Sequence, residues 1–344
     1  MTTSLAALAL AASACGEGES LPTTLDVAAT DADIAAVDAA FDVPQVDSYE
    51  GLGYLMDEAL ATAGGAVIRL PMEMLKEGAD RPLARHSARM MQLADEGTSA
   101  AIPLSALGKT FEWNVTTDQY EPTARTGAPA NGVRFILYTL DISAFAPAEP
   151  LVEVGYADFT RSSNTATVGV YATGGTQLVS YTATVGGTTN APTMAVEGFV
   201  GTGANRVNFE LTFGVSLFSG NVTVSWRIEV PSRGLASRVQ IGIGSNGVAF
   251  SALMRAGARK VEMGGTLGEN GGIIVVRIGG KVFARLTFDA EGGSTVADAD
   301  GNPLTPEQAE TLDRIFEFFE GAFDAPDVLL SPLYTLLDVD TGSA

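Results

Sequence analysis

Histidine and cysteine each occur once among the 344 residues, and lysine only four times. A single cysteine excludes a disulfide framework and any multi-cysteine metal site, and a single histidine excludes a histidine-rich zinc centre. Basic residues are scarce as a class: 20 Lys+Arg stand against 41 Asp+Glu, a formal net charge of −21. Phosphate recognition needs concentrated Lys and Arg, so no nucleic-acid partner is expected, and four lysines form no polybasic membrane patch. The G-x-S-x-G, HExxH, P-loop and CxxC patterns are also missing. No enzyme is expected on that basis, and no catalytic, metal-binding or cofactor-binding residue is assigned. What the chain does have is apolar: 46% hydrophobic residues against 18% charged, with 39 glycines. Such a composition is too apolar for disorder and rich in turns.

The first apolar run is Leu5 to Ala14, followed at once by Cys15. Ten residues are too few to span a bilayer but suit the core of a signal peptide. Ala12, Ser13 and Ala14 before the only thiol resemble the lipobox of bacterial lipoproteins. That resemblance implies a signal peptide over residues 1–15, cleavage before Cys15 and lipidation of its new N-terminus. Gly16 and Glu17 lack the aspartate of inner-membrane retention, so the resemblance further implies a lipid anchor at the outer membrane. Residues 16–46, rich in Asp, Ala, Thr and Pro, are expected to form an acidic disordered tether. One short helix is allowed within it, capped at Thr30 with Asp33 and stopped by Pro44.

Residues 47–104 read as a helical segment. Ser48 can cap a helix with Leu52, Leu55, Met56, Ala59 and Leu60 on one face, and Pro82 can open another. Arg81, Arg85 and Arg89 make a basic stripe on that second helix, expected to be a solvated face paired with neighbouring acids. Met72, Met74, His86 and Met90 have Cu(I)-compatible chemistry, but methionines of this kind are more often core filler.

From residue 105 the period changes from helical to two. Val207, Phe209, Leu211, Phe213 and Val215 alternate with polar residues, and Val222, Val224, Trp226, Ile228 and Val230 repeat the pattern after a Ser219-Gly220-Asn221 turn. About thirteen such strands follow at short spacing, which predicts an antiparallel meander. Gly242-Ile243-Gly244-Ser245-Asn246-Gly247 matches G-x-G-x-x-G, with Glu262 twenty residues on. Val248, Phe250, Ala252 and Met254 alternate behind it, however, so a hairpin is expected rather than a dinucleotide loop.

Thr305, Pro306 and Gln308 predict a capped helix over residues 305–323, with Leu312, Ile315, Phe316, Phe319 and Phe323 as its apolar stripe. The sequence therefore predicts a mainly β fold over residues 105–344: an antiparallel meander curled as a half-barrel or open barrel, with helices packed on it. This architecture resembles the LolA/LolB-like half-barrel lipoproteins of the bacterial envelope, a resemblance of layout without a sequence motif. Three roles stay open. One is a structural or interaction lipoprotein with a self-filled core. Another, implied by the resemblance, is a carrier of an acyl chain or other apolar ligand between sheet and helix. The third is an integral outer-membrane β-barrel. Phe209, Leu211, Phe213, Trp226, Phe316, Phe319 and Phe323 are the expected lining of core or ligand site.

Overall fold

The computed structural model describes residues 24–61, 102, 105–141 and 146–336, apart from the single positions 163, 189, 217 and 292. Two N-terminal helices, α1 (Val27–Phe41) and α2 (Pro44–Ala61), precede the strands, and α3 (Pro306–Leu336) follows them. The first strands are β1 (Thr110–Asn114), β2 (Gln119–Thr123), β3 (Gly132–Tyr138), β4 (Leu140–Asp141), β5 (Ala146–Pro147) and β6 (Glu153–Ser162). Next come β7 (Thr165–Ala172), β8 (Gln177–Thr188), β9 (Ala191–Val200), β10 (Val207–Ser216), β11 (Asn221–Val230) and β12 (Leu235–Gly244). The last are β13 (Gly247–Ala256), β14 (Arg259–Gly268), β15 (Gly271–Ile278), β16 (Lys281–Phe288) and β17 (Ser294–Asp298). Fifteen of these strands form one sheet, while β4 and β5 pair with each other.

From β6 to β17 every strand pairs antiparallel with its neighbours in sequence, as the short connections require. The meander expectation therefore holds, with two corrections. There are seventeen strands among the described residues rather than thirteen. The four additional ones, β2, β4, β5 and β17, are too short or too polar to show alternation. One pair is parallel: β1 lies beside β3 in register Thr110↔Arg134 and Phe111↔Phe135. The hairpin strand β2 supplies the crossover that a parallel pair needs, so the short-connection argument does not apply there.

Alternation sends one face of the sheet inward. On β10 the buried residues are Val207, Phe209, Leu211, Phe213 and Val215, and on β12 they are Leu235, Ser237, Val239, Ile241 and Ile243. Glu210, Thr212, Thr223, Ser225 and Arg227 point to the other side. A twisted sheet of fifteen strands must curl, and its concave face here joins the three described helices in one continuous hydrophobic cluster.

The G-x-G-x-x-G segment is a hairpin. Gly244 and Gly247 close β12 and β13 around a two-residue Ser245-Asn246 turn, and Glu262 lies on β14. Gly247 has φ +109°, and a Cβ there would stand 2.0 Å from the Leu267 carbonyl oxygen. At Gly242 a Cβ would meet nothing within 4 Å. Gly247→Ala should therefore cost about 1–3 kcal/mol, whereas Gly242→Ala should change stability by less than about 0.5 kcal/mol. Paired urea unfolding curves check this contrast; equal losses would mean that the turn is not the one described.

The tether expected over residues 16–46 is corrected from Val27 onward. α1 is a full helix with Asp26, not Thr30, as its N-cap: Asp26 Oδ1 accepts from the Ala29 amide at 3.0 Å. Thr30, Asp33, Val37 and Ala40 are buried at helical spacing, so this acidic segment belongs to the core. Alternating Ala and Asp concealed the stripe. Pro44 ends α1 only by opening α2, where its missing N–H costs nothing. Of the predicted α2 face, Leu52 and Met56 are buried and Leu55 is half-buried. Residues 62–101, with the Arg81 stripe, His86 and the methionine cluster, lie outside the described residues.

The capping box at Thr305 forms as predicted. The Gln308 side chain accepts from the Thr305 amide at 2.8 Å, and Thr305 Oγ1 accepts from the Gln308 amide at 3.3 Å. α3 runs thirteen residues past its predicted end, through Pro326 and Pro332. An interior proline costs about 3 kcal/mol, but Leu329, Leu330 and Leu333 beyond Pro326 are fully buried. Each such burial contributes roughly 1.5–3 kcal/mol, enough to offset the prolines.

Candidate functional site

The concave wall gathers most of the residues expected to line it. Phe209, Leu211, Phe213 and Trp226 are all buried, and the Phe209 and Trp226 rings stack with centroids 5.8 Å apart. Phe209 also meets Tyr181 at 6.1 Å. Tyr181 shares a 2.5 Å hydrogen bond with the Tyr49 hydroxyl of α2 and donates to the Leu329 carbonyl of α3 at 3.3 Å. Two phenols thus tie the sheet to both long helices. Burial raises the Tyr181 hydroxyl well above the usual phenol range, which keeps it neutral.

The helix side differs from expectation in one respect. α3 packs mainly against α1 and α2 and meets the sheet where its Leu329 carbonyl accepts from Tyr181 of β8, while α2 faces β2, β3, β6, β7 and β8. Its aromatic stripe, however, is rotated. Leu312, Ile315, Phe318 and Phe319 are buried, whereas Phe316, one of the five expected stripe residues, is only half-buried. At 100° per residue, Phe318 and Phe316 flank the Ile315–Phe319 line on opposite sides. The position of α1 and α2 decides which of them is covered. The Phe323 side chain lies outside the described residues, as does Cys15.

Sequence reasoning missed a charged latch. Asp33 is buried on α1 and receives Arg233 Nε at 2.5 Å and Arg259 Nη2 at 2.6 Å, while Arg259 Nη1 donates to Thr30 Oγ1 at 3.3 Å. Arg233 belongs to the β11–β12 turn and Arg259 begins β14. Near the other end of α1, Ala40 lies against Gly201 of the β9–β10 turn. Successive hairpins on one rim are two strand spacings apart, roughly 9.6 Å. Residues 33 and 40 are separated by seven helical steps, roughly 10.5 Å. α1 therefore lies across the rim, with Ala40 at the β9–β10 turn and Asp33 shared by Arg233 of the β11–β12 turn and Arg259 at the start of β14. The one available signal was an aspartate in phase with Thr30, Val37 and Ala40.

Two polar atoms on the wall have no hydrogen-bond partner: Trp226 Nε1 and Ser237 Oγ, both buried. They are inner-face neighbours, since Trp226 pairs with Val239 and Ser237 with Ile228 across β11 and β12. On the convex side, Phe199, Arg206, Asn208, Glu197, Glu210 and Arg227 line an open cleft of about 400 Å³. Arg206 covers the Phe199 ring at 3.7 Å, and Glu197 and Glu210 are directly opposed on β9 and β10.

Glu50 on α2 is the described carboxyl closest to a physiological switch. Burial, with a smaller contribution from the Asp47 charge, pushes it up to about 7. The folded chain favours the neutral acid, so this contribution is present below about pH 4.5 and is lost as pH rises through 7. Glu50→Gln should match the parent at pH 4 and exceed it by about 2–3 kcal/mol at pH 8. Denaturant unfolding at the two pH values checks this. A variant no more stable than the parent at pH 8 would place Glu50 in water.

Among the described residues, no helix is long and apolar enough to cross a membrane, and no group of three or more His, Cys, Asp or Glu side chains could hold a metal ion. No family model, curated protein or solved structure matches the chain.

Proposed function

We propose that the chain is an envelope lipoprotein, held at the outer membrane through lipidated Cys15, whose folded body has a structural or interaction role. The supporting observation is that the apolar wall is already covered: its side chains and those of α1, α2 and α3 form one buried cluster. An integral outer-membrane barrel would carry its apolar band outward. Here the outward positions of β10 and β11 include Asn208, Glu210, Thr212, Thr223, Ser225 and Arg227, the reverse arrangement.

A second reading is favoured by the unpartnered Trp226 and Ser237 atoms, a carrier of an acyl chain or other apolar molecule against the wall. Two measurements test these readings. In a Gram-negative host, palmitate should label the parent and not Cys15→Ser, and equal labelling of both would end the lipoprotein reading. Solvent extraction of the purified protein followed by mass spectrometry should release no stoichiometric lipid from a structural module. A stoichiometric lipid would select the carrier.

A further inference from the structure

Buried donors without acceptors are uncommon in native proteins, because each has given up its hydrogen bonds to water and gained none in return. The concave wall has two, on adjacent strands and on one face. The Trp226 indole N–H can only donate, and it is positioned by stacking on Phe209. The Ser237 hydroxyl stands one register step from it towards the rim, between Ile228 and Met254. Val239 opposite Trp226 and Ala252 opposite Val239 are short, while Ile228 and Met254 border Ser237 on either side. The next row towards the rim is Leu235, Ala256 and Arg259, where the α1 latch sits. The two donors therefore lie just beneath the helix that crosses the rim. Everything further along the wall is aliphatic or aromatic.

Resting on the carrier reading, we propose that Trp226 Nε1 and Ser237 Oγ are the polar end of an acyl-binding site. One oxygen of a fatty-acid carboxylate or fatty ester accepts from both donors, and its hydrocarbon tail lies along the wall past Leu211 and Phe213. An acceptor oxygen on an apolar tail meets what the site offers: two donors set in an otherwise hydrocarbon surface. Arg233 and Arg259, paired with the single carboxylate of Asp33, leave one net positive charge at that end of the wall.

Trp113 and Trp226 are the only tryptophans, so a Trp113→Phe chain reports on the site by its own emission. The full-length protein, cleared of lipid, is titrated with dodecanoate, methyl dodecanoate and dodecane. Dodecanoate or its ester should shift Trp226 emission saturably, with dodecane at least about fivefold weaker, the worth of one hydrogen bond of average strength. Which of the two oxygenated ligands binds tighter identifies acid or ester. Ser237→Ala should leave the lipid-free protein as stable as the parent or more so, yet weaken that binding about fivefold. Trp226→Phe, followed by calorimetry, should do likewise. Binding unchanged in both variants, or dodecane binding as tightly as dodecanoate, overturns this inference and leaves the carrier reading standing. Saturable binding of none of the three compounds removes both.

Discussion

Replacing Asp33 with alanine should destabilise the protein by about 3–5 kcal/mol, the usual loss when one partner of a buried ionic cluster is removed. The carboxylate is almost wholly enclosed, and both of its oxygens are held by guanidinium groups. Without it, Arg259, 18% exposed, keeps a charge that water reaches poorly; Arg233, at 33%, recovers part of its hydration. The loss should therefore fall at the lower end of that range. α1 would also lose its only described ionic contacts with the hairpin turns, so the defect should extend to the whole helix. Urea unfolding measures the loss, and hydrogen exchange over Val27–Phe41 measures its reach. Salt at 1 M should not close the gap, because a buried cluster is screened little. The contrast is Arg227→Ala on the convex face, where Glu210 and Glu229 are exposed partners and a change within about 1 kcal/mol is expected. A loss below 1 kcal/mol for Asp33→Ala would mean that α1 is held by apolar contacts alone.

Phe319→Ala and Phe318→Ala should each cost about 3–5 kcal/mol, as is usual for a buried phenylalanine. Both rings are buried and meet edge to face at 5.4 Å, so each truncation also removes a ring contact of the other. The double variant should then cost less than the sum of the singles. Phe316→Ala should cost clearly less, because that ring is only half-buried. Denaturant midpoints of the four variants decide the matter. If Phe316 proved costlier than Phe318, the roll of α3 against α1 and α2 would have to be reversed.

The sheet was legible because its signal is local. A period of two with Gly-bearing turns marks each strand without knowledge of any other, and β6 to β16 follow from it. The same logic exposed the false dinucleotide motif, since Val248, Phe250, Ala252 and Met254 alternate. Legibility stopped where pairing partners are distant or periodicity is short. Five-residue β17 alternates too briefly to register. The choice between Phe316 and Phe318 depends on where α1 and α2 lie, which no property of α3 encodes. Asp33 looked like one more acid in a tether because its partners are 200 and 226 residues away. The unpartnered state of Trp226 and Ser237 is a property of the assembled wall, invisible in a list of residues.

The chain-neighbour pairing of β6 through β17 has a consequence for the order in which the molecule can be assembled. Each hairpin closes over a few residues, so loop-closure entropy is small and strands can be added one after another as they leave the ribosome. α1 has the opposite history. It precedes every other described element in the chain, but its Asp33 has no counter-charge until Arg233 and Arg259 have been synthesised and their turns have formed. The first described element is thus among the last to be seated. Until then the growing sheet waits with its rim uncovered, and the N-terminal helices must stay within reach of a site more than 200 residues downstream.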